Sequence, residues 1–524
     1  MSILNGYTSR KRDYRLISEY GVTEIEIDGK QFLKIEDGVI QKLSQEAFRD
    51  ISFYLKKSQF EGWIKILMDP ESSENDLLVV NALLKNALIS SNGVLPLCQD
   101  TGTATVFAFR GSNVLTSGND IKEIEEAAEN IWETENLRYS QMIPSDMFSE
   151  RNSGNNLPAQ IDISLVGGNE FEFIFYAKGG GSSNKTSLFQ MSKALLNDKA
   201  LTSFLTENIK KIGVAACPPY HLSVVIGGTS PEENLKVLKL SSSDIFDGMT
   251  ESGLYGYRDK LWEKRVIQIA RETALGAQFG GRHLVMDARV IRLPRHAGSC
   301  PVSIGVSCSA HRVLSGKISP DGVYLENVVK NPSEFITKYL LESGKQIPSV
   351  NFDEGIENAI SCLDNLAPGK MVLLSGTVVV ARDIAHARLA EELEQTGQLP
   401  DWFRQYPVYY AGPAKKPDTE IEGSFGPTTA QRMDPYVERF MAHGCSRIML
   451  AKGNRSENIS ELCSRYNSFY LGTIGGAAAL IAKENIVSSE VIAYPELGME
   501  AVRKIVIRNL ISFVVSDNKG NSLY

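Results

Sequence analysis

The sequence contains few cysteines, no long apolar run and no run of basic residues. Its seven cysteines are scattered over 524 residues and form no Cys-x-x-Cys pair, so neither a disulfide scaffold nor a zinc ribbon is expected. No apolar stretch is long enough to cross a bilayer. The net charge of −8 is spread along the chain, which argues against nucleic acid as the main partner. We therefore expect a small-molecule partner.

The first residues also lack the features of a secretory signal, namely a long apolar region and a small-residue cleavage site. Arg10 and Arg12 would suit a mitochondrial presequence, but Asp13 and Glu19 come early for one. We expect a cytoplasmic protein. Its cysteines are then thiols or metal ligands, and any metal centre must gather its ligands from distant loops.

The length and composition are those of a globular protein with more than one core. A chain of 524 residues with 43% apolar and 23% charged residues can bury two large cores. Helical spacing over 31–95 and 119–134, followed by alternating strand patterns, indicates an α/β fold. We predict two α/β domains per subunit, over 1–328 and 346–524, joined by a linker over 329–345, with the active site in the cleft between them.

One stretch carries more reactive groups than a turn requires. Residues 97–103 (LCQDTGT) place a thiol, an amide, a carboxylate and two hydroxyls beside a glycine. The carboxylate of Asp100 opposes formation of a thiolate at Cys98 unless a positive group such as a metal lies between them. The alternative is a half-buried cysteine in a turn whose aspartate binds its own backbone.

A second stretch predicts an anion site. Residues 160–165 and 171–176 alternate in polarity and predict a hairpin, which leads into the glycine loop 178–186 (KGGGSSNKT) and then a helix. Such a loop presents free backbone N–H groups to an anion. The nucleotide-binding phosphate-loop pattern fails because Asn184 stands where glycine should precede the lysine. A carboxylate fits the same loop.

Two further loops carry cysteines. Two prolines follow Cys217. They restrict the backbone and remove two N–H donors, so this segment is expected to be rigid and not the regular start of a strand. Cys300 and Cys308 lie close together in the sequence, and spacing alone does not choose between them as ligands. A lone histidine such as His296 is more often a loop residue than a catalyst.

The second half of the chain predicts cations at the ends of strands. Arg382 follows the predicted strand 371–381, and Asp383 is expected to cap the next helix. Thr428 and Arg432 are four residues apart, which predicts one helical face. Lys452 follows the predicted strand 448–451. A cleft with thiols on one side and these cations on the other suits a small dicarboxylate whose hydroxyl is withdrawn by a Lewis acid.

Long motifs over nearly the whole chain support a family resemblance. They are 97–103, 135–141 (ENLRYSQ), 156–162 (NLPAQID), 178–186, 216–221 (ACPPYH), 305–310 (GVSCSA), 426–430 (GPTTA) and 495–501 (PELGMEA). In these motifs and their order the chain resembles the class I, iron–sulfur-dependent fumarate hydratases. The resemblance implies a homodimer that reversibly interconverts fumarate and L-malate.

The resemblance also implies particular roles. Cys98, Cys217 and Cys308 would hold a [4Fe–4S] cluster with one open iron, and Cys300 would be a bystander. Thr428 would act as the base and Asp100 as the acid. The substrate-binding positions implied by the family are Gln99, Arg138, Gly181, His296, Arg382, Arg432 and Lys452.

The sequence departs from the family pattern at two positions, with Gln431 where a glycine is common and His311 where an aspartate is common. A dehydratase acting on mesaconate or tartrate is therefore an alternative. On a helix Gln431 would point away from Thr428 and Arg432, which favours the unchanged activity. A nonenzymatic iron–sulfur sensor is a second alternative, although the acidic chain lacks the basic partner-binding patch that such a sensor needs.

Overall fold

The computed structural model describes residues 12–249, 254–341 and 347–524. Residues 1–11, which include most of the N-terminal segment considered above for targeting, lie outside the described residues. Residues 342–345 of the predicted linker also lie outside them. Within the described residues no helix combines the length and apolarity needed to cross a membrane.

Helices and strands are interspersed along the chain. The α-helices are α1 Val39–Phe53, α2 Lys57–Met68, α3 Glu74–Ser90, α4 Asp120–Thr134, α5 Gly180–Ser183, α6 Asp198–Ile212, α7 Pro231–Ser241, α8 Lys260–Glu272, α9 Ser333–Ile336, α10 Ile356–Leu363, α11 Asp383–Thr396, α12 Asp401–Gln405, α13 Asp434–Ala442, α14 Asn458–Arg465 and α15 Ala478–Leu480. Single turns of 3₁₀ or π helix span Lys193–Leu195, Thr337–Tyr339, Phe352–Glu354, Ala430–Met433, Ile481–Asn485 and Pro495–Glu500.

The strands form three large sheets and several small ones. They are β1 Tyr14–Ser18, β2 Val22–Ile27, β3 Lys30–Ile35, β4 Thr103–Gly111, β5 Val114–Leu115, β6 Met142–Pro144, β7 Glu150–Asn152, β8 Gln160–Val166, β9 Phe171–Lys178, β10 Ser187–Met191, β11 Tyr220–Gly228, β12 Tyr257–Arg258, β13 Val285–Arg295, β14 Cys300–Ser307, β15 Val313–Ser319, β16 Gly322–Glu326, β17 Ser349–Asn351, β18 Met371–Val380, β19 Val408–Tyr409, β20 Ala411–Pro413, β21 Phe425–Pro427, β22 Ile448–Ala451, β23 Phe469–Thr473, β24 Ile486–Ala493 and β25 Val502–Ser516.

The order of strands in the large sheets confirms an α/β fold. The first sheet runs β1-β16-β15-β9-β4-β8, the second β10-β14-β11-β13-β12, and the third β17-β18-β19-β22-β23-β25-β24. Parallel pairs such as β11 with β13 and β22 with β23 occur beside antiparallel ones. The third sheet is built from the second half of the chain alone.

The predicted hairpin at 160–176 is wrong, although both strands exist. β4 lies between them, parallel to β8 and antiparallel to β9. The turn after β8 passes around the end of β4, where Ser112 N donates to Val166 O at 2.7 Å. β4 is buried along most of its length, so its backbone groups need a strand partner on each edge.

Three local predictions from helical spacing are also corrected. The helical region predicted from residue 31 begins with strand β3, because residues 30–35 pair with β2. The glycine loop leads into the four-residue α5 and then strand β10 rather than a long helix. Asp383 is the first residue of α11 and does not cap it, since Arg382 occupies the cap position without a side-chain bond.

The largest apolar core joins the two halves of the chain. Side chains of α2 and α3, among them Trp63 and Leu83, share one buried cluster with Phe403, Phe440 and Phe513. Because α3 packs against the third sheet, the loop that follows α3 is held against the C-terminal half. This loop contains Cys98.

Candidate active site

A cavity of about 520 Å³ lies where the two halves meet. Its walls come from the loop after α3, the glycine loop after β9, and the segments that follow β18, β21 and β22. The lining residues are polar in the main: Gln99, Asp100, Gly102, Thr103, Arg138, Ser140, Lys178, Gly180, Gly181, Asn184, Lys185, Arg382, Pro427, Thr428, Thr429, Gln431, Arg432 and Lys452.

The loop carrying Cys98 and Asp100 is anchored on both sides. On the α3 side, Asn86 Nδ2 donates to Leu97 O at 3.0 Å. On the C-terminal side, Gln99 Nε2 donates to Pro427 O at 3.0 Å. Gly426 permits this approach, because a Cβ there would lie 2.5 Å from Gln99 Oε1. The amide of Gln99 therefore ties the loop to the strand that precedes Thr428.

Asp100 accepts a hydrogen bond from a backbone N–H of the glycine loop, a loop that the sequence predicts to bind an external anion. Gly180 N donates to Asp100 Oδ2 at 2.8 Å. Burial alone would raise the pKa of Asp100, but Arg138, Arg312 and this backbone N–H together hold it below its ordinary value. The carboxylate is consequently ionised at neutral pH. The glycine loop holds the carboxylate of Asp100 rather than forming a phosphate cradle.

Three cysteines come together beside this cavity from distant parts of the sequence. Burial raises the pKa of Cys98 to about 11 against the opposing charge of Arg312, and Cys217 and Cys308 are close enough to act on the same thiol. Ser309 N donates to Cys217 O at 3.0 Å, which ties the loops of Cys217 and Cys308 together. Cys300 instead lies buried in β14, opposite Met191 on β10.

These thiols have the surroundings of metal ligands. Lys452 Nζ donates to Cys217 Sγ at 2.9 Å, and a Cβ on Gly475 would lie 2.5 Å from the same sulfur. Among the described residues no three His, Cys, Asp or Glu side chains converge tightly enough for one metal ion. An iron–sulfur cluster places each cysteine on a different iron, so its sulfurs lie farther apart than the ligands of a single ion. The donor set fits a cluster.

Six cationic side chains line the cavity: Arg138, Lys178, Lys185, Arg382, Arg432 and Lys452. Arg382 is 3% exposed, and burial together with the charges of Arg138 and Arg432 holds its pKa well below the ordinary value. Arg432 Nη2 lies 3.3 Å from Asp383 Oδ2. The neighbouring thiols raise the pKa of Lys452 although burial opposes this. Such a concentration of positive charge around one cavity favours an anionic ligand.

Thr428 lies in an extended segment, not on the predicted helix. Its N–H and its hydroxyl both donate to Tyr410 O, at 2.8 and 3.1 Å, and its own carbonyl accepts from Lys452 N at 3.1 Å. The following 3₁₀ turn begins only at Ala430. As a result Gln431 lines the cavity, contrary to the prediction that it points away.

The structure brings both predicted catalytic residues and most of the predicted substrate-binding residues to this cavity: Asp100 and Thr428, with Gln99, Arg138, Gly181, Arg382, Arg432 and Lys452. His296 is not among them. It is exposed on the turn between β13 and β14, where its Nδ1 accepts from Gly298 N at 3.1 Å. Its role at the substrate stays a prediction.

Sequence reasoning missed two lysines of the glycine loop. Lys178 and Lys185 line the cavity. Burial lowers the pKa of Lys178 to about 8, with a contribution from Lys239, and lowers that of Lys185. The glycine pattern predicts a role for the backbone N–H groups and says nothing about these side chains.

His311 lies in a separate charged cavity, where its ring stacks on His221 with centroids 3.9 Å apart.

Comparison with known proteins gives matches over nearly the whole chain. The family model "Fumarate hydratase (Fumerase)" matches residues 41–317, and "Fumarase C-terminus" matches 322–524. Fumarate hydratase 2 of Leishmania major is 47% identical over 97% of this chain and 90% of its own length. The anaerobic class I fumarate hydratase of Escherichia coli is 45% identical over 98% of this chain and 94% of its own length. A putative L(+)-tartrate dehydratase α subunit of Methanocaldococcus jannaschii is 30% identical over 55% of this chain and 99% of its own length.

Proposed function

Because this chain belongs to the fumarate hydratase family, we propose that it reversibly interconverts fumarate and L-malate. One observation supports this function most directly. An ionised carboxylate, a threonine hydroxyl and six cations from both halves of the chain line one cavity beside three thiols. A dicarboxylate with a leaving hydroxyl matches these groups in charge and in chemistry.

We further propose that Cys98, Cys217 and Cys308 hold a [4Fe–4S] cluster. When bound, the cluster would supply a Lewis acid for the hydroxyl through its iron that lacks a cysteine. Two features of the chain suit such a group. Gly475 has no side chain that would clash with the sulfur of Cys217, and the ammonium of Lys452 contacts the same sulfur. A cation at this position offsets the negative charge that thiolate ligands bring.

Asp100 would handle the proton of the hydroxyl. Since its pKa is held low, it enters the hydration direction as a carboxylate and takes a proton from water. In the dehydration direction it returns that proton to the departing hydroxyl, so the acid role predicted for it applies to that direction. The Gly180 N–H keeps one carboxylate oxygen in place throughout.

Thr428 would remove the proton from the substrate carbon in the dehydration direction and return it in the hydration direction. Its hydroxyl proton is directed at Tyr410 O, which fixes the orientation of the oxygen in a buried position. A threonine hydroxyl is a weak base, so the cations that line the same cavity are needed to stabilise its deprotonated form. Lys452 is one of these cations, and its backbone N–H donates to Thr428 O.

The carboxylates of the substrate would bind to the remaining cations and amides. We assign them to Arg138, Arg382, Arg432 and Lys452, with Gln99 and Gly181 completing the pocket. Arginine suits this task because its planar guanidinium can donate two parallel hydrogen bonds to one carboxylate. Thr101 fixes Arg138 beside the Cys98 loop, since Thr101 Oγ1 accepts from Arg138 N at 3.0 Å.

We also propose that the protein acts in the cytoplasm as a homodimer and that its domains divide as predicted, at 1–328 and 346–524. Neither nucleic acid nor a membrane is part of this proposal. Sedimentation of the purified protein would test the dimer.

An anaerobic assay of the purified protein tests the function. We expect loss of the absorbance of the fumarate double bond, reversed by L-malate, and little turnover of mesaconate or tartrate. The Thr428→Ala variant should retain its bound iron and lose at least ~1,000-fold in kcat. A preference for tartrate would support the alternative dehydratase, and an iron-loaded protein that turns over none of these acids would support the sensor.

A further inference from the structure

The motif 495–501 ends in a glutamate that contacts the buried arginine of the cavity. Arg382 Nη2 donates to the carboxylate of Glu500, and more weakly to Met499 O at 3.4 Å. Arg382 is 3% exposed and Glu500 is 23% exposed. None of the functional roles assigned above uses Glu500.

Arg382 needs such a partner because its surroundings are unfavourable for a cation. Burial, Arg138 and Arg432 all disfavour its charged form. The nearest carboxylate on its own helix, Asp383, already pairs with Arg432. A buried charge without a partner is costly, so Glu500 supplies the compensation that the helix does not.

The turn that carries Glu500 is docked along the same helix as Arg382. Tyr494 OH donates to Glu392 Oε2 at 3.1 Å, and the guanidinium of Arg388 lies over the Tyr494 ring at 5.4 Å. Arg388 also pairs with Glu496. The Tyr494 contacts hold the turn Pro495–Glu500 against α11, whose N-terminal cap is Arg382, and the exposed Arg388–Glu496 pair adds little to them.

The guanidinium of Arg382 is confined on its other side as well. A Cβ on Gly412 would lie 2.9 Å from Arg382 Cζ, so the guanidinium packs against the bare backbone of β20. Among the described residues Arg382 Nε and Glu500 Oε2 have no hydrogen-bond partner. The glutamate therefore holds one nitrogen of the fork and leaves donor capacity for a ligand.

We propose that Glu500 is a positioning residue, which holds the guanidinium of Arg382 in place to bind a carboxylate of a C4 dicarboxylate substrate. The proposal rests on the proposed function for the identity of that substrate. It differs from a purely structural role because it acts on substrate affinity through Arg382 and leaves proton transfer at Thr428 and Asp100 unaffected.

The test is steady-state kinetics of the loaded enzyme with Glu500→Gln and Glu500→Asp. For Glu500→Gln we expect the KM for fumarate and for L-malate to rise about tenfold with kcat changed less than threefold, because loss of the charge frees Arg382 without touching the reacting atoms. Glu500→Asp keeps the charge. Its KM should therefore rise no more than about threefold, which is half of the tenfold effect on a logarithmic scale.

Binding of succinate, a saturated C4 dicarboxylate, gives a readout that does not depend on turnover. Calorimetry should show about tenfold weaker binding to Glu500→Gln than to the unaltered protein. Adding Glu500→Gln to Arg382→Ala should weaken succinate binding by less than twofold more, because a residue that acts through Arg382 has no effect once Arg382 is gone. The comparison of the double variant with Arg382→Ala remains informative if Glu500→Gln lowers stability, because it measures succinate binding and not the midpoint of unfolding.

Glu496→Gln is the matched control, since Glu496 lies on the same turn and also pairs with an arginine, but at an exposed position. We expect unchanged KM and unchanged succinate affinity. The proposal is overturned by an equal effect of Glu496→Gln, by unchanged affinity in Glu500→Gln, or by tighter binding, which would mean that Glu500 competes with the substrate for Arg382. Failure of the unaltered protein to hydrate fumarate would refute the proposed function and leave the succinate comparison intact.

Discussion

The ammonium of Lys452 donates to the sulfur of Cys217 at 2.9 Å, although 235 residues separate them in the sequence. Lys452 follows the end of strand β22 in the third sheet, and Cys217 lies just before β11 in the second. This contact joins the two halves at the cavity. The lysine faces both the thiols and the groups that would bind the substrate.

Replacement of Lys452 by methionine should lower kcat/KM about 100-fold, equivalent to about 2.7 kcal/mol. Methionine fills a similar volume but removes the charge that opposes the thiolates and attracts the carboxylates. Kinetics with fumarate would measure the loss. Lys122→Met, which alters a lysine 73% exposed on α4, should have activity within twofold of the unaltered protein, and equal losses in both variants would contradict the assigned role.

Serine at Cys98, Cys217 or Cys308 should abolish the bound iron and the visible absorbance of anaerobically purified protein. A hydroxyl is a poor ligand for iron in a cluster because it stays protonated where a thiol ionises. Iron and sulfide analysis of the three variants would test this. Cys362→Ser, at an exposed position, should retain the full content, and a loaded Cys217→Ser protein would refute the ligand set.

Glycine at Gln431 should enlarge the cavity on the side of Thr428 and Arg432. We expect fumarate turnover within threefold of the unaltered protein and at least a fivefold gain in kcat/KM for mesaconate, because removal of the side chain makes room for the extra methyl group. Parallel assays of the two substrates would measure the ratio. A ratio that does not change would show that Gln431 has no part in selecting the substrate.

Asparagine at Asp244 should destabilise the fold in a pH-dependent way. Burial alone would raise the pKa of Asp244, but Lys56, Arg12 and Arg289 lower it to about 2. Since the folded-state pKa lies below the ordinary value, the ionised carboxylate stabilises the fold above about pH 4, and this stabilisation is lost as the pH falls towards 2. Its size is about 2 kcal/mol near pH 7.

Thermal unfolding of Asp244→Asn and of the unaltered protein at several pH values would check this prediction. The midpoint of the variant should be about 2 °C lower from about pH 5 to 8, and the difference should narrow below about pH 4. Asp401→Asn, at a side chain 99% exposed, should show no difference. A gap that widens in acid would have the wrong sign and would contradict the assignment.

Much of the local structure could be predicted because it depends on short-range patterns. Helix α4 and the strands β18 and β22 lie within a residue or two of where apolar spacing placed them. The failures share a cause. The segment of Thr428 has helical spacing, but its backbone hydrogen bonds go to Tyr410 and Lys452, and partners that are distant in sequence leave no local signal.

The kinds of groups available follow from the amino-acid sequence alone: three thiols in unusual loops, a carboxylate beside one of them, and cations after predicted strands. The α/β class also follows from it, because periodicity is written into consecutive residues. Three contacts could be seen only in the folded chain: Asp100 binds the glycine loop, Gln431 faces the cavity and Glu500 contacts Arg382. These contacts depend on strand order and on the packing of α3 against the third sheet, both of which arise from the burial of distant apolar surfaces against each other.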